Sequence, residues 1–389
     1  MVVHLLVGAL VEGDGIGNSV LAQYQMLGDL GYNCDIFVLY ADDKLKSITR
    51  PITSLKADKD DLIIDHVGGY SFYARCVYKQ PCRKVLCYHN ITPPELVEGS
   101  MKNLCRKGLD QISKISGMYD FIFGDSAFNL ECLRELGEQR RGDVLPIPVD
   151  FPYKATEKTL AGGKLRFLFV GRYVENKRIE DLIRVFDYYH GNINSDSELS
   201  VIGNPSVSPS YTSQLQDMVK ASSCAEAISL VGRVSDGELR EYYKNSDVYL
   251  CMSEHEGFCI PLIEAMYNNL VVFAYDSAAV SDTMGEAGIL LDTKDSEQVS
   301  KRINDVMSNK HLVMDILNKE SLRSQFFSRE NIRNMLANYM SKWASDEYER
   351  PANLSYERPR MNFRLFIMKI SPTWIIPFLR RIKHAIASR

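Results

Sequence analysis

Twice along its length the chain alternates short apolar runs with helical stretches, and that rhythm constrains its fold more than any other feature. In the first half, Val3 to Leu10 reads as a strand, Ser19 to Leu30 as a helix closed by Gly31, and Cys34 to Tyr40 as a second strand. Apolar runs recur at Leu62 to Val67, Lys84 to Tyr88 and Tyr119 to Gly124, with helical segments at Tyr70 to Tyr78, Leu104 to Ile115 and Ala127 to Leu136. Strands separated by helices predict a parallel, doubly wound sheet. Val144 to Pro152 then packs three prolines into nine residues ahead of Gly162-Gly163, which marks a domain junction. A second alternation runs from Arg166 through the strand Val248 to Met252. The expected architecture is α/β, with two Rossmann-like domains facing a cleft, 1–150 and 151–345, and a tail over 346–389. Ligands in such sheets bind at the carboxyl ends of the strands.

The stretch SEHEGFCIPLIEAM, Ser253 to Met266, separates Glu256 from Glu264 by seven residues that change character midway. Gly257-Phe258 with Pro261 reads as the turn that stops a strand, Cys259 and Ile260 lying between them. Leu262 to Met266 then has helix formers in a row, with Pro261 suited to a helix start. Backbone N–H groups at such a start attract a phosphate, and two nearby carboxylates suit sugar hydroxyls rather than the anion. The combination points to a sugar joined to a nucleotide diphosphate. Two incidental acids at a helix start are the plainer reading.

Three further clusters lie at strand ends. EGDGIGN places Gly13, Gly15, Gly17 and Asn18 just after the first strand, where glycines let the backbone approach a phosphate or sugar. The spacing is not the G-x-G-x-x-G of dinucleotide binders. FLFVGRYVENKRIEDLI ends a strand at Gly171, with Arg172 next and Lys177 five residues on, so that two cations can converge on one diphosphate; a solvated basic loop is the alternative. CYHNITPPEL puts His89 and Asn90 after the strand Lys84 to Tyr88, IDHVGGY puts His66 at another strand end, and GDSAFN puts Ser126 and Asn129 at a third. Small polar residues there are also ordinary helix caps.

The run EHEGFCIPLIEAM resembles the E-x7-E signature of retaining glycosyltransferases of family 4, which have the GT-B fold, and AYDSAAVSDTMGEAGILL is similar to the segment that follows it. The resemblance covers about Val3 to Trp343. It departs from the family's usual residues in three ways: Cys259 replaces the common glycine, Asn269 stands where a helix-ending glycine is usual, and Asp282 stands for a glutamate. The resemblance implies that Glu264 binds the ribose hydroxyls and Glu256 hydroxyls of the donor sugar. It implies that Arg172 and Lys177 stabilise the leaving diphosphate, and that His89 contacts the donor sugar near the reacting carbon. Gly232, Arg233 and Val234, in LVGRVSDGEL, are similar to the loop that cradles the base. On the acceptor side it leaves Gly13, Asn18, His66, Asn90, Ser126 and Asn129 as candidates.

Composition narrows the function classes. A net charge of −4 argues against a general nucleic-acid binder. Nine cysteines without a CxxC pair read as reduced core thiols, not a zinc site. Asp58-Lys59-Asp60-Asp61 has the letters of a metal motif but reads as a solvated turn, so no metal and no cofactor are expected. The N-terminus lacks a basic leader and reads as a strand rather than a signal peptide, and no run is long enough to span a membrane. From Met361 on there are six cations and no acid beside Phe366, Trp374, Ile375 and Phe378, leaving a charge of −10 on the rest of the chain. A basic amphipathic segment suits an anionic membrane surface; docking on the protein's own acidic body is the alternative.

The expected protein is a metal-independent hexosyltransferase of the cytoplasm or the inner membrane face. Its donor would be a GDP- or UDP-hexose such as mannose, and its acceptor a lipid-linked glycan or growing surface polysaccharide of O-antigen or capsule type. Two rivals stand beside it. A non-catalytic scaffold would bind sugar nucleotide without turnover. A dinucleotide-dependent oxidoreductase would use Asp42 as its ribose acid, but leaves Arg172, Lys177, Glu256 and Glu264 without a role.

Overall fold

The computed structural model describes residues 1–11, 13–97, 99–151, 153, 155, 163–345 and 354–359. They divide into two compact units, one holding the described residues of Met1–Pro148 together with those from Arg329 on, the other those of Val149–Ser328. The basic segment from Met361 lies outside the described residues, so its expected membrane role is not addressed by the fold. Among the described residues no helix is long and apolar enough to cross a membrane.

The first unit is built on seven parallel strands: β1 Val2–Leu10, β2 Asn33–Ala41, β3 Thr49–Pro51, β4 Leu62–Val67, β5 Arg83–Tyr88, β6 Phe121–Gly124 and β7 Asp143–Val144. Their order is β3-β2-β1-β4-β5-β6-β7. Side chains alternate across a strand, so β1 feeds two cores. Leu5 and Val7 join Val20, Met26 and Leu336 on one face, while Leu6 joins Ile63, Leu86 and Ile112 on the other. Trp343, at the end of the helix Arg329–Trp343, is fully buried and stacks on Phe123 at 5.3 Å. That last helix thus belongs to the core of the first unit.

The second unit carries six parallel strands: β8 Leu165–Val170, β9 Ser197–Ile202, β10 Ile228–Gly232, β11 Val248–Cys251, β12 Val271–Tyr275 and β13 Ile289–Leu291, in the order β10-β9-β8-β11-β12-β13. Both sheets are therefore doubly wound. In each the order reverses beside the first strand, the place where such sheets bind ligands.

Several local expectations shift. The first helix runs over Gly15–Asp29, so Gly15 and Gly17 lie inside its first turn instead of in a loop before it. A Cβ on Gly17 would stand 2.5 Å from the Val11 carbonyl oxygen, which is why the chain can turn so tightly there. The helix expected from Tyr70 begins only at Ala74, because the Ser71 N–H is held by the Gln111 side chain at 2.7 Å. Tyr119 precedes β6 instead of joining it, and its hydroxyl donates to the fully buried Asp65 at 2.6 Å. Asp61, read as solvated, accepts from the backbone N–H groups of Val2 at 2.7 Å and Asp58 at 2.9 Å, which ties the start of β1 to the turn before β4. All nine cysteines are free thiols.

Candidate functional site

In the second unit, β11 stops at Cys251 and the helix Ile260–Tyr267 begins nine residues later with Cys259 as its N-cap. Cys259 takes the left-handed conformation, φ 71°, where the resembled family has glycine. Asn269, φ 58°, closes the same helix in the left-handed region that asparagine tolerates best after glycine. Pro261 sits in the first turn and brings no N–H, and the Leu262 N–H is taken by the Cys259 carbonyl at 3.1 Å. The helix start therefore offers fewer free donors than its sequence suggests.

The loop between strand and helix is fastened from several sides. The Ala279 N–H donates to the Glu256 carbonyl at 3.1 Å, Ser277 Oγ to the Ser253 carbonyl at 2.6 Å, and the Thr283 hydroxyl to the Phe258 carbonyl. Asn176, one residue before Lys177, donates to the His255 carbonyl at 3.0 Å and accepts from the Glu254 N–H at 2.8 Å through its own carbonyl. This ladder brings together two segments nearly eighty residues apart in sequence. Its product is an ion pair in which Lys177 Nζ donates to Glu256 Oε1 at 2.5 Å, the two side chains 13% and 9% exposed. The sequence reading gave these groups separate tasks, diphosphate and sugar; the structure joins them, because each would otherwise be a buried lone charge. Burial opposes ionisation of Glu256, yet Lys177 and Ser253 outweigh it and hold the carboxyl below its ordinary range. Burial pushes the neighbouring His255 down to about 4, so this imidazole is neutral at physiological pH.

Glu264 lies just beyond the first turn of that helix and accepts from the Tyr243 hydroxyl at 2.7 Å. Burial raises its pKa, with the Tyr243 bond opposing. One acceptor position is thus occupied and others stay available for a ligand's hydroxyls. Arg172 is half-buried directly after β8 and Gly171. Gly232 ends β10 at φ 82°, Val234 is half-buried and Arg233 is exposed. Between them lies a residue that sequence reasoning missed. A Cβ on Gly203, after β9, would stand 1.7 Å from the Gly171 carbonyl oxygen, while its N–H donates to the Gly232 carbonyl at 3.0 Å. The ends of β8, β9 and β10 meet backbone to backbone, which no other residue type would permit. A lone glycine after a strand carries no motif, so nothing in the sequence flagged it.

In the first unit the strand-end residues of β4, β5 and β6 meet. His66 Nδ1 lies 2.8 Å from His89 Nε2, and His89 Nδ1 lies 2.6 Å from Asp125 Oδ2. His89, expected to touch sugar, has both ring nitrogens engaged and a side chain only 1% exposed. Ser126 caps the helix Ala127–Glu135 by accepting from the Asn129 N–H at 3.2 Å, and Asn129 is fully buried, donating to the Tyr88 carbonyl. Asn90, φ 68°, donates to Asn129 Oδ1 at 3.1 Å. These three build the loop, and the cap reading accounts for Ser126. Gly13, φ 75°, and Asn18 are exposed.

Two buried trios, His66 with Cys87 and His89, and Cys251 with Glu256 and Cys259, bring potential ligand atoms within 4.8 Å of one another. Both include groups already spent on each other or on Lys177.

Residues 153–323 match the family described as Glycosyl transferases group 1. That match covers less than half of the chain. An uncharacterized glycosyltransferase of Haemophilus influenzae is 25% identical over 168 residues, 42% of this chain, which spans only 46% of that relative's length. The amylovoran biosynthesis glycosyltransferase AmsD of Erwinia amylovora is 21% identical over 333 residues, covering 78% of this chain and 91% of its own. Among solved structures, a glycosyltransferase from Rickettsia africae superposes with a TM-score of 0.71 at 14% identity, covering 89% of this chain and 99% of its own. Anabaena HepE in complex with UDP-glucose gives 0.70 at 14% identity, covering 88% and 100%. The fold is the GT-B type, two parallel-sheet α/β units.

Proposed function

We propose that the protein is a glycosyltransferase of polysaccharide biosynthesis, using a nucleotide diphosphate sugar as donor. The observation that carries this reading is the corner formed by the buried Glu256 and the half-buried Lys177 and Glu264 at the carboxyl ends of β8 and β11. The comparisons support it: the relative AmsD is named for amylovoran biosynthesis, and HepE was solved in complex with UDP-glucose.

The chemistry follows from the residues. Glu264 accepts hydrogen bonds from ribose hydroxyls with the oxygen capacity that Tyr243 leaves open. Lys177 and Arg172 provide preorganised positive charge for the diphosphate as it gains charge on leaving, the largest kind of catalytic term available to such a site. When a donor enters, Lys177 exchanges its bond with Glu256 for the diphosphate, and the freed carboxylate accepts from a hydroxyl of the sugar. The two cations also supply what a metal ion would otherwise provide. A hexose donor with a UDP or GDP base, retention of configuration in the manner of family 4, a lipid-linked or surface glycan acceptor, and attachment to the cytoplasmic membrane face through the basic tail complete the reading.

The test is turnover across UDP-, GDP- and ADP-hexoses with and without a chelator. Transfer from one donor class, unaffected by chelation and abolished in Lys177→Ala, is the expected result. Binding of a donor with no transfer to any acceptor glycan and no donor hydrolysis would favour the scaffold instead.

A further inference from the structure

Lys177 is held against Glu256 from more than one side. Asn176 ties the segment to the loop after β11 on one side of it. On the other side stands Arg178, between the 3₁₀ turn Glu175–Lys177 and the helix Ile179–Asn192, in the left-handed conformation with φ 51° and ψ 44°. A residue with a Cβ occupies that region at a cost, so the surroundings have to keep it there. Its guanidinium lies 3.0 Å from Glu180, 2.9 Å from Asp181 and 3.4 Å from Glu254. The first two carboxylates sit in the first turn of the helix that Arg178 precedes, where negative charge is favoured, while Glu254 belongs to the loop that carries Glu256. Lys294, just beyond β13, closes the cluster: its Nζ lies 2.8 Å from Glu254 and 3.4 Å from Asp181, and 4.6 Å from the centre of the Tyr275 ring.

Isolated exposed ion pairs hold little, and Arg178 and Glu254 are 34% and 36% exposed. Sharing changes that. Glu254 and Asp181 each meet both Arg178 and Lys294, and Asp181 is only 8% exposed, so no pair can shift without disturbing the others. Glu254 also donates its own N–H to the Asn176 carbonyl at 2.8 Å. It therefore grips the residues on both sides of Lys177, one through the backbone and one through the side chain.

We propose that Arg178, Glu254 and Lys294 are positioning residues that clamp the Lys177 loop and so set where its ammonium stands, with Glu254 at the centre of the clamp. Each acts through Lys177. The bearing on transfer rests on the transferase reading above, whereas the clamp itself does not.

The experiment compares the wild type with Glu254→Ala, a change at a loop position 36% exposed, by ¹³C NMR of the full chain with labelled glutamate, the Glu256 carboxyl assigned with Glu256→Gln. In the wild type burial pushes that carboxyl up and Lys177 outweighs it, so it titrates below its ordinary range; Ser253, His255, Cys251 and Cys259 also face it. Two effects of Glu254→Ala have opposite signs. Removing a nearby negative charge lowers the Glu256 midpoint, whereas a Lys177 that drifts away raises it. A rise is expected; a midpoint that falls or stays overturns the clamp. Arg178→Gly accepts the left-handed backbone without the side chain, and a wild-type Glu256 midpoint there removes Arg178 from its role. With UDP-glucose as donor, kcat in Glu254→Ala should fall at least about tenfold while KM changes by less than about threefold, because a misplaced Lys177 is missed most as charge develops on the leaving group. Lys294→Gln should lower kcat in the same way, and wild-type kcat there removes Lys294. An unchanged kcat in Glu254→Ala beside a raised midpoint overturns the role in transfer. If the wild type does not turn over UDP-glucose, the failure belongs to the donor reading, and the Glu256 midpoint still judges the clamp.

Discussion

Removing one partner of the Lys177–Glu256 pair should cost stability out of proportion to a surface charge. In Lys177→Met the Glu256 carboxylate keeps its burial and loses the ammonium 2.5 Å away. Breaking a buried pair from one side costs about 3–5 kcal/mol, because an uncompensated charge remains. At about 2–4 °C per kcal/mol for a unit of this size, the midpoint should fall by at least ~6 °C. The double variant Lys177→Met/Glu256→Gln has no stranded charge and should recover most of that loss. The pH dependence gives a second sign. In the wild type the Glu256 pKa is lowered, so the pair's contribution is present above the ordinary carboxylate range and lost as pH falls through the folded pKa. In Lys177→Met only burial acts strongly, the folded pKa rises, and stability should instead decline as pH climbs through that range. Denaturant unfolding of the wild type, Lys177→Met, Glu256→Gln and the double variant between pH 4 and 8 measures both effects. Single losses below about 1 kcal/mol that simply add in the double variant would refute the coupling.

Other outcomes follow from the same physics. Burial raises Asp65 to about 6 against its two tyrosine bonds, so folding binds a proton and this residue's contribution to stability should fall as pH rises from about 4 to 6, then level off. Asp65→Asn should flatten that segment of the unfolding profile. Tyr243→Phe removes the bond that holds the Glu264 pKa down, so the acid limb of nucleotide binding should move to higher pH, read by titration calorimetry at several pH values. Gly203→Ala places a Cβ 1.7 Å from the Gly171 oxygen and should cost at least about 2 kcal/mol while disturbing the strand-end cradle; a thermal scan showing wild-type stability would contradict the close approach.

The sheets were legible because buried parallel strands write themselves as apolar runs, and Leu62 to Val67 is β4 residue for residue. Pro261 and Asn269 announced the limits of one helix through backbone chemistry alone. What the sequence could not hold is pairing across distance. Lys177 and Glu256 lie 79 positions apart, and only the Asn176 bridge to the His255 carbonyl explains why they meet. His89 stood out by its string, yet Asp125, inside GDSAFN, was passed over for Ser126 and Asn129; it sits beside His89 because β5 and β6 are neighbours. The late start of the helix Ala74–Tyr78 was hidden for a similar reason, since Gln111, forty residues on, captures the Ser71 backbone.

Calorimetric titration of UDP-, GDP- and ADP-sugars into the wild-type chain, Lys177→Ala and Glu264→Ala tests the donor corner most directly. One nucleotide should bind the wild type and lose at least about tenfold, roughly 1.4 kcal/mol, in each variant while both remain folded. Equal affinity in all three proteins would contradict the account.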